Sequence, residues 1–160
     1  MAFQDLIGAA QTHFPNLQIK YKDQSKLMKF LGKILFFNKN FMTDYTSFNN
    51  TIYIPSQHFV KIHPVSSVVL FLYELVHLHY PKRKAYLSSL YIIWKLSQKL
   101  QFKAPLESNI KVLAHQLNKP WKNASALERE FEVAAQKIRN GGRPYEDPVF
   151  DMLDDLITKL

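Results

Sequence analysis

Cysteine is missing altogether from the 160 residues, and glycine appears only four times. The first absence excludes a disulfide scaffold, a cysteine nucleophile and any zinc or iron–sulfur site built on thiolates. So few glycines give no support to phosphate-cradling loops or to the sharp turn that presents a nucleophilic serine. Long hydrophobic runs are lacking as well. The most apolar stretch, Val65 to Val76, is interrupted by Ser66, Ser67 and Glu74 and falls short of the about 20 residues that span a bilayer. It is expected to be a buried helix, and no membrane span is expected. The opening run MAFQDLIGAAQTHF has no basic leading segment and carries Asp5 within its apolar part, so no signal peptide is expected.

Acidic residues are the next shortage. Thirteen stand against 21 lysines and arginines, for a net charge of +8. Five of those acids (Glu146, Asp147, Asp151, Asp154 and Asp155) lie after residue 145, where Lys159 is the only base, so residues 1–145 carry +12. Such a surface is drawn to nucleic acid, acidic lipid or an acidic partner, although a dispersed lysine-rich surface can also serve solubility alone. Only Lys82, Arg83 and Lys84 form a dense run, and these are the candidate nucleic-acid contacts. What the chain has in plenty is apolar residues, 47% of the total, with 14% aromatic. That is enough for one domain, 1–160, with a real core.

The pattern is α+β. Residues 4–13 read as a short helix ended by Pro15, and residues 17–21 alternate like a strand. From Ser25 the spacing Leu27, Phe30, Leu31, Ile34, Leu35 is helical, with Lys26, Lys29 and Lys33 on the wet face. Two strand-like runs follow, 41–48 and 51–54, joined by Asn49-Asn50, a pair that tolerates the positive φ of a tight hairpin. Phe41, Tyr45, Tyr53 and Phe59 are candidates for the hairpin's packed face. Beyond Pro55 everything reads as helix: 65–79 behind Pro64, about 84–100, 106–118, about 125–138 and 148–159. Gly141-Gly142 should end the fourth of these. The expectation is a small N-terminal antiparallel sheet over about 17–55, followed by a helical bundle over about 57–160.

One helix carries the chemistry. It ends Leu72-Tyr73-Glu74-Leu75-Val76-His77-Leu78-His79. With His at 73 this would read His-Glu-x-x-His, in which two imidazoles on one helical face bind zinc and the glutamate acts as general base on the metal's water. Glu74 and His77 are in place; Tyr73 occupies the first-ligand position. His79, two residues from His77, points about 200° around the helix and does not fill the gap. Glu74 and His77 can equally form a buried hydrogen-bonded pair with no metal. Residues 127–138, LEREFEVAAQKI, place Glu128 three residues after Ser125, in the spacing of a capping box. Glu130 reads as a solvated charge. His13, His58, His63 and His115 show no ligand spacing. Tyr86, Tyr91 and Trp94 could stack on bases, but their helical spacing argues first for core packing.

The run KFLGKILFFNKNFMTDYTSFNNTIYIPS, the apolar helix ending ELVH and the later glutamate helix together resemble a family of small phage-encoded zincin-like, gluzincin-type proteins, over about residues 26–138. The family helix normally reads HELVH, with an acid soon after; here Tyr73 and Tyr80 stand at those places. The 127–138 segment resembles the Glu-x-x-x-Asp helix of gluzincins, which would make Glu128 the third metal ligand and Glu132, in place of the Asp, the residue orienting a metal-bound histidine. The resemblance implies a zincin-like fold and an edge strand, with 51–54 the candidate, that holds an extended peptide by strand addition. A hydrolytic zinc site usually keeps three protein ligands and one open position. With His77 and Glu128 alone at matching positions, the expectation is a degenerate, vestigial site with no cofactor, in a non-catalytic virion or assembly protein that binds other phage proteins and acts in the particle or the infected host cytoplasm. Two alternatives stand beside it: an active zinc peptidase with an atypical ligand set, in which Glu74 is the base, and a basic DNA-binding accessory protein.

Overall fold

The computed structural model describes residues 3–35, 38–101 and 124–160. They fall into two compact units, one covering the chain to His79 together with Thr158–Leu160, the other Tyr80–Ile157. Among the described residues are seven helices and one three-stranded sheet, an α+β protein that is mostly helical.

In the first unit, α1 (Phe3–His13) buries Leu6, Ile7 and Ala10, one face at helical spacing. Gln11 Nε2 donates to the Leu17 carbonyl at 3.1 Å, fixing the entry to β1 (Gln18–Tyr21). Ser25 then caps α2 (Lys26–Ile34), its hydroxyl accepting from the Met28 amide at 3.3 Å. β2 (Thr46–Phe48) and β3 (Thr51–Ile54) form the expected hairpin, and both loop residues take positive φ, 47° at Asn49 and 57° at Asn50. The strand-like run at 41–48 contracts to its last three residues. Ahead of it the chain turns, with the Phe41 amide on the Asn38 carbonyl and the Thr43 and Asp44 amides on the Asn40 carbonyl.

The sheet order is β1-β3-β2, with β1 parallel to β3 and β2 antiparallel to it. The expected antiparallel sheet is therefore mixed, because α2 lies in the crossover that a parallel pair requires. One expectation is overturned by this order. Thr51–Ile54 is the central strand, paired on both sides and buried along its length, so it offers no free edge. The edges are β1 and β2.

Ser56 caps α3 (Gln57–Ile62), accepting from the Phe59 amide at 3.0 Å. α4 (Pro64–His77) starts with proline at its first turn and packs against β2 and β3, burying Phe71, Leu72, Leu75 and Val76. Phe3 meets Phe71 edge-on at 5.5 Å, and Tyr45 meets Phe59 at 6.1 Å. The helix ends two residues before the expected His79, whose ring stacks on Phe14 at 4.4 Å.

The second unit holds α5 (Lys82–Leu100), α6 (Ala124–Arg139) and α7 (Val149–Thr158, whose last residue belongs to the first unit). The helix expected at 106–118 and His115 lie outside the described residues. α6 already includes Ala124, one residue ahead of the expected cap Ser125. Its end is the expected glycine pair: Gly141 takes φ +82°, and the amides of Gly141 and Gly142 return to the carbonyls of Ile138 and Lys137. Phe131, Ala134, Ala135 and Ile138 of α6 and Phe150, Leu153 and Leu156 of α7 are buried. Tyr91 and Tyr145 set their rings edge-on to Phe150 at 4.9 and 4.8 Å. Tyr86 and Tyr91 are thus core residues, as their spacing suggested.

The two glycines Gly141 and Gly8 should respond to alanine with opposite signs. At Gly141 a Cβ opposes the left-handed backbone, so Gly141→Ala should lose about 1 kcal/mol. At Gly8, inside α1 with nothing within 4 Å of a new Cβ, Gly8→Ala should gain up to about 1 kcal/mol. Urea unfolding of both variants against wild type reads the two shifts.

Candidate functional site

The helical repeat of α4 puts Tyr73, Glu74 and His77 at the end of one helix, and the sheet decides what each side chain meets. Glu74 is buried, 8% exposed, and its Oε2 accepts a hydrogen bond from Ser47 Oγ of β2. Tyr73 and His77 lie one turn apart with ring centroids 5.8 Å from each other and planes 24° apart. His77 Nδ1 is buried with no hydrogen-bond partner among the described residues.

A second titratable group belongs to this cluster, and the sequence alone does not reveal it. Lys22 follows β1, its amide extending the parallel ladder by one bond to the Ile54 carbonyl at 2.8 Å. Its side chain is fully buried. The Nζ donates to the Phe41 carbonyl at 2.5 Å and to Thr46 Oγ1 at 2.7 Å, and lies 4.3 Å from the centre of the Phe41 ring. Burial pulls the ammonium down to about 8, against the opposing pull of the Asp44 and Glu74 carboxylates, which favour its charged form. Lys22, Thr46, Ser47 and Glu74 thus form a polar cluster linking the end of β1, the strand β2 and the helix α4. No run of charge or ligand spacing marks Lys22; only the parallel pairing of β1 with β3 carries it inward.

A zinc ion of the kind the resemblance implies does not fit the donor set of α4. Two rings so nearly parallel turn their π faces to each other, and their in-plane lone pairs run side by side rather than meeting at a point about 2 Å from both. A phenol is also protonated at neutral pH, with a reference value of about 10. Glu74, the would-be base, is already a hydrogen-bond acceptor for Ser47. Among the described residues no three His, Cys, Asp or Glu side chains form a group able to hold a metal ion. Glu128 and Glu132 lie on α6 in the second unit, the first half-buried and the second exposed. His13, His58 and His63 are exposed.

Within the second unit the basic run is largely engaged. Arg83 donates through Nε and Nη2 to the Glu130 carboxylate, so Glu130 is paired rather than simply solvated. Lys84 Nζ lies 4.0 Å from Asp147, and 5.6 and 5.3 Å from the ring centres of Tyr80 and Tyr145. Lys82 lies over Tyr86 at 5.7 Å. Asp147 also accepts from the Tyr80 hydroxyl at 2.6 Å and from the Val149 amide at 2.9 Å. Burial pushes the Asp147 carboxyl up, but these two hydrogen bonds and Lys84 outweigh it and hold the group below its ordinary value. The same hydrogen bond pushes Tyr80 up to about 12. Asp154 accepts from the Tyr91 hydroxyl at 2.6 Å and shares Arg143 with Asp151. Asp147, Asp151 and Asp154 therefore hold basic and phenolic groups of their own unit.

Compared with known proteins, the chain matches no family model, no curated protein and no solved structure.

Lys22 fixes the sign of a pH dependence. Between about 8 and its ordinary 10.5 the unfolded chain holds the proton and the folded one does not, so stability rises with pH across that window. The gain between pH 8 and 10 should reach at most about 2–3 kcal/mol. Tyr45, pushed up to about 12 by burial, reverses the trend above pH 10. Denaturant unfolding at pH 7, 8, 9 and 10 should show the rise in wild type, and Lys22→Met should flatten it.

Proposed function

We propose that the chain is a non-catalytic phage virion or assembly protein, built on a degenerate zinc-metallopeptidase-like fold, that binds other phage proteins. The observation that carries this reading is the engagement of Glu74. In an active site of this type the carboxylate faces the water it activates. Here it accepts from Ser47 and stands near the buried Lys22 ammonium. Removing a carboxylate that balances a buried cation is strongly destabilising, so Glu74 has a structural role sufficient to keep it in place without catalysis.

The open side of β2 is the place for a partner. β2 pairs with β3 on one side, and no strand lies on its other side among the described residues. The pairs Phe48–Thr51 and Thr46–Tyr53 flank Ser47. In a two-residue hairpin they carry the ladder bonds, leaving the Ser47 backbone groups turned outward to meet an extended segment. Phe48, 69% exposed at the hairpin end, offers that segment an apolar contact.

One observation favours the active-peptidase reading. His77 Nδ1 is a buried imidazole nitrogen without a hydrogen-bond partner among the described residues, as a lost or awaited ligand would be. The two readings separate on one preparation. Protein purified without chelators should contain far less than one zinc per chain and leave casein intact, and the chain should be found in purified particles, cross-linked through β2 to a structural component. One zinc per chain, lost in His77→Ala, together with casein cleavage, would overturn the binding reading. Tyr73→His should restore the missing imidazole and raise zinc affinity substantially; metal binding that stays undetectable would show that the family positions of His77 and Glu128 do not apply to this chain.

A further inference from the structure

The sequence assigns α2 a wet lysine face and an apolar face turned to the core. The structure departs from this. Leu27, Phe30 and Ile34 are 54%, 60% and 49% exposed, and Met28 is the one buried residue of the helix. At 100° per residue eight of the nine positions fall into three sectors, and half-buried Leu31 lies between the seated and the outward ones. Met28 and Gly32 lie about 40° apart and seat the helix on its own unit; a Cβ at Gly32 would lie 3.0 Å from Met42 Sδ, so the missing side chain permits a close approach. Leu27, Phe30 and Ile34 lie within about 60° of one another and face outward. Lys26, Lys29 and Lys33 fill a third sector, also within about 60°, and no acid lies on the helix.

We propose that α2 docks this protein, reversibly and lying in the plane of the surface, on an anionic lipid membrane. The inference is independent of the peptide-binding reading of β2. A short helix with a lysine face and a Leu/Phe/Ile face is the form that settles at the headgroup boundary. With the apolar sector down, the lysine sector and the seated Met28/Gly32 sector both lie up and to either side. The lysine stems then reach the phosphates from the flank while the body of the unit stays in water. Two features favour lipid over a partner protein. The outward sector is three side chains of one nine-residue helix, much less than the about 800 Å² per partner that a stable protein interface buries. Membrane binding instead grows with each apolar side chain and with each lysine near the anionic surface. No described helix is long and apolar enough to cross a bilayer, so the attachment is peripheral.

The test is flotation of the full-length chain with vesicles of pure phosphatidylcholine and of equimolar phosphatidylcholine and phosphatidylglycerol. The expected result is binding to the anionic vesicles alone, weakened by salt. The triple substitution Lys26→Gln, Lys29→Gln, Lys33→Gln should lower partitioning on the order of 100-fold, and Phe30→Ser with Leu27→Ser should abolish it. These side chains are exposed, so unchanged circular dichroism and thermal unfolding are expected and separate lost binding from lost folding. No binding by folded wild type, equal binding to neutral vesicles, or binding that survives both sets of substitutions would overturn the proposal. Recovery of α2 cross-linked to an acidic protein with no vesicle binding would assign the outward sector to that partner and refute the lipid.

Discussion

A fully buried ammonium is the constraint around which the first unit is organised. Taking a lysine out of water costs several kcal/mol unless acceptors and opposite charge surround it. The chain supplies them from separated segments: the carbonyl of Phe41 from the turns before β2, the hydroxyl of Thr46 from β2 itself, and the carboxylates of Asp44 and Glu74. These groups are placed by three different local structures, the 38–44 turns, β2 and α4. Because an incomplete set would leave a buried charge exposed to the low dielectric, the end of β1, the 38–44 turns, β2 and α4 are bound to one arrangement. The Ser47–Glu74 hydrogen bond closes it. This gives a three-stranded sheet of short strands a specificity that its few ladder bonds would not supply.

The second unit handles charge differently. Its carboxylates at 147, 151 and 154 stand near the surface and are met by Lys84, Arg143, Lys95 and two tyrosine hydroxyls. Exposed pairs of this kind contribute little stability singly. Their effect is on the surface field: the basic run at 82–84, dense in the sequence, is answered locally by Glu130 and Asp147. The net positive charge of the molecule is therefore felt less there than on α2, where three lysines meet no acid of their own helix.

Local physics made much of this legible. The proline at the start of α4, the Asn49-Asn50 turn and the glycine pair after α6 act through their own backbones, so they read directly from the chain. What failed to read was long-range. Which strand is central depends on β1 crossing over to pair with β3, and that pairing turned the supposed edge at 51–54 into the middle of the sheet. The inward path of Lys22 has the same origin. Periodicity also misassigned α2, because an apolar stripe announces a face that avoids water without saying whether the same unit covers it. The motif residues were legible as residue types on one helix. Their state was not: a sequence shows Glu74 beside Tyr73, but the hydroxyl that bonds Glu74 comes from a strand 27 residues away.

Charge compensation ties these observations to the proposed role. In a zinc peptidase the doubly charged ion is the largest local charge, and it keeps a buried glutamate beside it ionised. Tyrosine at 73 supplies neither an imidazole ligand nor, at neutral pH, a charge. A buried carboxylate left in such a place would take up a proton or pull the helix end open. Lys22 answers both difficulties, since its ammonium returns positive charge to the same region while the hydroxyl of Ser47 fills the acceptor. On the proposed reading, α4 is a fixed strut under β2 rather than a catalytic helix. A strut of this kind holds the outer side of that strand steady, which is the property a surface needs if it is to take up an extended segment without cutting it.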